Sequence, residues 1–167
     1  RDVEPIRTIV QSMKRFNKQI VLTSQVPPGF TRSLGIANIY HQAETLRIKD
    51  AKYRAEHPDY IAVGGPPGIG ASYAEYLCAF QCPVLRMSWE DAEMSKIAVN
   101  MMLAAQVDYT NSMAAICKKV GADWGKVAKA LHHDKRIGHE AYLTPGRWQD
   151  SQHLLRDYVN LDAIRTS

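Results

Sequence analysis

The chain has 167 residues, 46% of them hydrophobic, and carries a formal net charge of +4. This is enough apolar material for one ordinary core or two small ones. The 21 basic and 17 acidic side chains are interspersed without a run of five like charges, which excludes a basic nucleic-acid footprint, and no apolar stretch approaches the ~20 residues of a membrane span.

Val3, Ile6, Ile9, Val10 and Met13 recur at helical spacing, and Gln19-Ile20-Val21-Leu22-Thr23 then reads as a buried strand. Residue 1 therefore falls at a helix in mid-fold. A complete nucleotide-binding domain starts instead with a strand and a Gly-rich turn, and none precedes this helix. Ser24-Gln25-Val26-Pro27-Pro28-Gly29 follows as a strand-to-helix loop, with two prolines fixing the backbone and Gly29 permitting a sharp turn. Residues 60–64 read as another strand. Gly64-Gly65-Pro66-Pro67-Gly68-Ile69-Gly70 comes next, in the order G-x-x-G-x-G and not the G-x-G-x-x-G of a dinucleotide fingerprint, so phosphate binding by this loop is not expected. A helix over 71–80 and a short strand over 83–87 complete the sheet.

The longest helical pattern runs from Asp91 to Val120, near 45 Å at ~1.5 Å per residue. Lys96 and Asn100 lie one above the other on one of its faces, an ammonium and a carboxamide on an otherwise small, apolar surface. Ile97, Met101, Ala104, Ala105, Val107, Met113, Ala114 and Ile116 occupy more of the circumference than one core face requires, which predicts either a partner helix or a buried hairpin with a helix at 122–131. The helix stops at Gly121, restarts at Ala122-Asp123-Trp124, and the chain reaches Asp134-Lys135-Arg136-Ile137-Gly138.

Cys78, Cys82 and Cys117 form no C-x-x-C pair and leave an odd one out, so a reducing, cytoplasmic compartment is expected, with all three thiols read as buried small apolar groups. His132, His133, His139 and His153 show no ligand spacing, adjacent histidines on a helix pointing about 100° apart, and no metal is expected.

These motifs resemble the nucleotide-sugar dehydrogenase family, the UDP-glucose and GDP-mannose 6-dehydrogenases. Family members read approximately A-E-L-x-K-Y-x-x-N-x-F-L-A, N-E, G-A-D and D-x-R-I-G. This chain gives Ala92-Glu93-Met94 with Lys96 and Asn100, then Leu103-Ala104, Asn111-Ser112, Gly121-Ala122-Asp123 and 134–138, at spacing held without gaps. The resemblance implies an α/β fold: the second half of a Rossmann-type parallel sheet over 1–90, followed over 91–167 by a mainly α-helical central domain with one long helix. It also implies NAD as cofactor, although the half of the domain that grips NAD is absent from this chain. A nucleotide sugar is the implied substrate, and the 91–120 helix the implied centre of a homodimer.

Residues 24–31 resemble the family's S-T-V-P-P-G-T, a strand end turning beside the nicotinamide, with Gln25 where the family usually has Thr; Ser24 and Gln25 are thereby the implied cofactor contacts. Ala43-Glu44-Thr45-Leu46-Arg47 resembles P-E-F-L-R. Glu44 then matches a carboxylate that helps orient a catalytic water, its alternative being a solvated helix-edge carboxylate, and Ile48 stands where a second carboxylate is expected.

The family continues F-L-x-P-G-x-G-x-G-G-S-C-x-x-K-D, its Cys attacking an aldehyde intermediate while the Lys and Asp sit around cofactor and thiol. Here Tyr142-Leu143-Thr144-Pro145-Gly146 leads to Ser151-Gln152-His153 and Arg156-Asp157, so His153 holds the Cys position from either direction of counting. Imidazole is a base but a poor substitute for a thiolate that forms a thiohemiacetal and then a thioester. A four-electron oxidation is therefore not expected. What the resemblance leaves open is a two-electron alcohol-to-carbonyl step using Lys96, Asn100, Asp157 and His153, with Arg156 on the cofactor, or a non-catalytic dimerisation or assembly module derived from the family.

Overall fold

A computed structural model describes residues 2–44, 46 and 50–166, arranged as two compact units, 1–96 and 97–167. The substituted second carboxylate position, Ile48, lies outside the described residues, as do Thr45 and Arg47 of the same motif.

The first unit opens with α1 (Glu4–Met13), Pro5 standing where a helix has no use for an amide donor. Val3, Ile6 and Val10 pack inward, while Ile9 and Met13 of the same pattern are exposed, so the apolar set is wider than its buried stripe. Four short strands follow: β1 (Ile20–Leu22), β2 (Ile39–His41), β3 (Ile61–Gly64) and β4 (Val84–Met87). They lie side by side in chain order. The β1–β2 and β3–β4 pairs are parallel, each bridged by a helix, α2 (Phe30–Ser33) or α4 (Ala71–Cys78). The β2–β3 pair is antiparallel and held at one register point, His41 opposite Gly64. Between β2 and β3 the described helix is the six-residue α3 (Ala51–Glu56), and a strand that reverses direction needs no long crossover.

Period-two alternation gives the sheet two cores. Ile20, Leu22 and Ile39 face α1 with Val26, Phe30, Leu34 and Ile36; Tyr40, Ile61 and Val63 face Tyr73 and Leu77 of α4. Val21 points to the second side but is 36% exposed, so β1 is not buried on both faces as the sequence suggested. Cys78 is exposed and Cys82 half-buried, against the expectation of buried thiols, because both sit at or beyond the end of α4; only Cys117 is buried.

Ser88 and Asp91 start α5 (Trp89–Lys119) with a reciprocal cap, the Asp91 amide donating to Ser88 Oγ at 3.1 Å and the Ser88 amide to Asp91 Oδ2 at 3.3 Å. Gly64 lets this helix settle onto β3, since a Cβ there would meet Ala92 Cβ at 2.7 Å and Ser88 O at 2.8 Å. The helix ends where the Ala122 amide donates back to the Cys117 carbonyl at 2.9 Å across Gly121.

The second unit contains the rest of α5, then α6 (Trp124–His133), capped by Asp123 accepting from the Gly125 amide, and α7 (Gln152–Thr166). Its buried apolar side chains are Ile97, Ala104, Val107, Cys117, Leu143, Trp148 and Leu154, of which Ala104, Val107, Trp148 and Leu154 form one cluster with Leu103 packed against it. Among the described residues no helix is long and apolar enough to cross a membrane.

Candidate functional site

In the second unit a polar cluster is buried on the inward side of α7. Asp157 is 0% exposed and Asn100 5%. Asn100 Nδ2 donates to Asp157 Oδ2 at 2.6 Å, and Arg156 Nε donates to Asp157 Oδ1 at 2.7 Å. Both carboxylate oxygens are thereby occupied, and the charge is matched by a guanidinium that is itself only 20% exposed. Lys96 stands one helical turn before Asn100 on α5 and is half-buried. His153 lies one turn before Asp157 on α7 but is exposed, in the first turn of the helix. Of the sequence candidates, then, Asn100, Arg156 and Asp157 are joined directly, and His153 shares their helix without sharing their hydrogen bonds.

The loop that precedes α7 is held by side chains of α5 and α6. Asn111 grips Gly146 twice, Nδ2 donating to the carbonyl at 2.7 Å and Oδ1 accepting from the amide at 2.9 Å. Gln106 Oε1 accepts from the Tyr142 amide at 2.8 Å, Thr110 Oγ1 donates to the Tyr142 carbonyl at 3.1 Å, and Trp124 Nε1 donates to the Leu143 carbonyl at 2.9 Å. Trp148 Nε1 reaches Asp108 Oδ1 at 2.9 Å. Backbone groups that a loop ordinarily leaves to water are satisfied by fixed helical side chains, so the loop is set by the helix. Sequence reading picked out Asn111 as a motif letter; the spacing of 106, 110 and 111 along one helix was the available sign of its role.

Beside this loop a cavity of about 620 Å³ is lined by Trp124, Lys129, His132, His139 and Tyr142. The His139 ring lies 6.4 Å from that of His132 and 5.7 Å from that of His133, both edge-on. Among the described residues no three His, Cys, Asp or Glu are grouped so as to hold a metal ion.

In the first unit the candidates Ser24, Gln25 and Glu44 follow the carboxyl ends of β1 and β2, where parallel strands present their ligand sites. Glu44 is exposed and borders a second cavity of about 620 Å³ with Thr23, Gln42, Ser72 and Tyr73. Gln25 is half-buried, and both polar atoms of its carboxamide are shielded from solvent with no partner within the protein. At the end of the glycine-rich loop two amides are engaged within the protein. The Gly70 amide donates to Tyr40 Oη at 3.0 Å and the Tyr73 amide to Gln19 Oε1 at 3.1 Å, while Arg86 holds the Pro66 carbonyl at 2.8 Å.

Two buried ionisable groups here were not singled out from sequence. Glu93 is 0% exposed and accepts from the Gly29 amide at 2.6 Å and the Thr31 amide at 2.8 Å. Burial pushes its carboxyl pKa upward, while the Thr31 and Gly29 donors pull it back. His41 is 0% exposed with neither ring nitrogen partnered, and burial lowers its pKa from 6.5 to about 4. Because the folded state resists protonation, His41 favours folding fully above pH 6.5, and that contribution is lost as pH falls from about 6.5 to about 4. The loss is expected to reach about 3 kcal/mol. Glu93, with its pKa raised, works in the opposite sense, losing stability as pH rises above its ordinary range. The comparison to make is therefore wild type against His41→Leu in urea titrations at pH 4 to 7: the wild type should lose that amount of stability relative to the variant toward acid, and a pH-independent difference would refute it.

Residues 90–164 match the model of the UDP-glucose/GDP-mannose dehydrogenase family, central domain. The UDP-glucose 6-dehydrogenase YwqF of Bacillus subtilis is 40% identical over 96 residues, covering 57% of this chain and 22% of that protein. The fold is shared with a UDP-glucose dehydrogenase from the archaeon Pyrobaculum islandicum, at TM-score 0.72 and 24% identity, over 96% of this chain and 45% of the other. It is shared also with a GDP-mannose dehydrogenase from Pseudomonas aeruginosa, at TM-score 0.71 and 22% identity, over 96% and 44%. The chain thus spans less than half the length of each of these proteins.

Proposed function

We propose, from the match of residues 90–164 to the central domain of the UDP-glucose/GDP-mannose dehydrogenase family, that this chain contributes to an NAD-dependent oxidation of the primary alcohol of a nucleotide sugar, and that the reaction stops at the carbonyl. The observation that carries this reading is the buried Asn100–Asp157–Arg156 cluster, built on the matched segment one helical turn from Lys96.

Each residue has a chemical task its surroundings support. The Lys96 ammonium offsets the negative charge that develops on the sugar oxygen. Asn100 commits one N–H to Asp157, which leaves its carbonyl oxygen and second N–H for the substrate. Asp157, with both oxygens taken, acts by holding Asn100 and Arg156 in place. His153 sits at the start of α7 and is exposed, so its imidazole is open to accept the hydroxyl proton. With no thiol at that position there is no acyl-enzyme, and oxidation ends after one hydride.

Ser24 and Gln25 of the first unit would hold NAD, and the unpartnered Gln25 carboxamide suits a polar ligand group. NAD, when bound, supplies the hydride acceptor. Glu44 would orient water.

The test is stoichiometry across a panel of UDP- and GDP-sugars: one NADH per sugar oxidised, with an aldehyde trapped by hydroxylamine, and turnover abolished by Lys96→Ala. Two NADH per sugar and a carboxylate product would overturn the two-electron reading.

A second reading, a non-catalytic dimerisation module, is favoured by the outer face of α5. Met102, Tyr109 and Ile116 recur every seven residues at 63%, 51% and 49% exposure. Exposed Ala98, Ala105 and Ser112 interleave at the same interval. Large and small residues alternating at four and three form a seam for a second copy of the helix. A homodimer through α5 follows under either reading, and absence of NADH formation with every sugar would favour the second.

A further inference from the structure

The segment that ends β1 is tied to α5 by a single carboxylate. The Glu93 oxygens accept separately, Oε2 from Gly29 and Oε1 from Thr31, at 2.6 and 2.8 Å, and the side chain is 0% exposed. Those two amides bracket the start of α2. Gly29 there has φ 87°, a left-handed conformation whose amide is turned inward and has no helical carbonyl to meet. Upstream of Gly29 stand two prolines and then Val26, fully buried in the α1 core, so the chain between Gly29 and Gln25 has little freedom of its own. Fixing Gly29 therefore fixes Gln25.

We propose that Glu93 is a positioning residue: through the Gly29 and Thr31 amides it holds the turn at 24–29, and with it the Gln25 carboxamide, at a set place relative to Lys96.

The reason lies in the cost of what is held. A carboxamide whose nitrogen and oxygen are both shielded from water without a partner destabilises the fold, and a free loop would turn it outward. Only a restraint elsewhere keeps it in. Glu93 supplies that restraint from the helix turn that also carries Lys96 three residues on, so the amide and the ammonium share one rigid base. The salt bridge beside it, Arg32 to Glu90 at 2.5 and 2.9 Å with the guanidinium 4.6 Å over the Trp89 ring, fastens α2 to the same turn from the solvent side. It is exposed and screened, and it touches no backbone donor of the turn. The functional meaning of the placement rests on the dehydrogenase reading, whereas the placement itself does not.

The experiment is amide hydrogen exchange by NMR on this chain, with no cofactor or substrate added, so its outcome is independent of turnover. In the unaltered protein the Gly29 and Thr31 amides are expected to be protected, and exchange at both at the unprotected rate would by itself overturn the proposal. In Glu93→Ala, exchange at both should quicken at least about tenfold relative to the β3 amides at 61–64, which report the unit as a whole. Glu93→Gln retains one acceptor oxygen and should restore protection at one of the two amides. The Gln25 side-chain NH2 resonances should shift in Glu93→Ala and return part of the way in Glu93→Gln. Equal acceleration at 29, 31 and 61–64 in both variants, with the Gln25 resonances unmoved, would make Glu93 a core residue and nothing more.

Discussion

Asp157→Ala is expected to lower the unfolding free energy by about 3–5 kcal/mol, the range for removing one member of a buried charged pair. Its two oxygens are the partners of Asn100 and Arg156, and truncation leaves a nearly buried guanidinium and a buried amide with nothing to accept from them. The second unit has little to absorb the loss, because its apolar core is limited to a handful of side chains. Asp157→Asn keeps an oxygen on one side but turns an NH2 toward a donor on the other, and should cost less, about 1–3 kcal/mol. Urea unfolding with an unchanged slope gives the comparison directly. A loss under about 1 kcal/mol for the alanine variant would mean the cluster is open to water and adds little to the fold.

The second large effect concerns association. Met102→Lys together with Ile116→Lys would put four ammonium groups into the seam of the proposed symmetric pair of α5 helices, where each substitution occurs twice. The dissociation constant should rise more than about a hundredfold, equivalent to about 3 kcal/mol, and sedimentation equilibrium should find monomers. Both side chains are exposed in the single chain, so helix content and unfolding of the monomer should hardly change. Association that survives the double substitution would rule out this face as the interface.

Long elements were legible in the sequence because period and punctuation agree in them. The helix expected over 91–120 is found at Trp89–Lys119, its start moved two residues upstream by the Ser88–Asp91 cap. The α5–α6 break at Gly121 was legible for the same reason. The reversal between β2 and β3 was not, since β2 is three residues long and the pair meets at a single register point that leaves no periodic trace. Of the candidate residues, Lys96, Asn100 and Asp157 were singled out by motif spacing, but the Asn100–Asp157 bond joins residues 57 positions apart that no local pattern connects. Glu93 passed as one letter of the same motif because a carboxylate on a helix is ordinarily solvated, and only the folded chain shows two amides closing on it. His41 was missed for the converse reason: nothing in Ile-Tyr-His marks the histidine as inward, and its burial follows from a strand covered on both faces, with Ile39, Tyr40 and His41 all buried, that is too short to be recognised beforehand.

The loop over 142–148 is fastened from outside itself, by Gln106, Asp108, Thr110, Asn111 and Trp124. Five of the six groups so held, at Tyr142, Leu143 and Gly146, are main-chain atoms, which every residue type but proline carries. Position and chemistry are thereby written in different stretches of the chain. The loop and the start of α7 can exchange one side chain for another while the frame stays where the long helix puts it. A one-residue insertion in α5 would do the reverse, turning the fastening side chains by about 100° and dislocating the loop with every reactive group intact. New reactions should therefore arise in this frame by substitution in the loop, and be lost by changes of length in the helix.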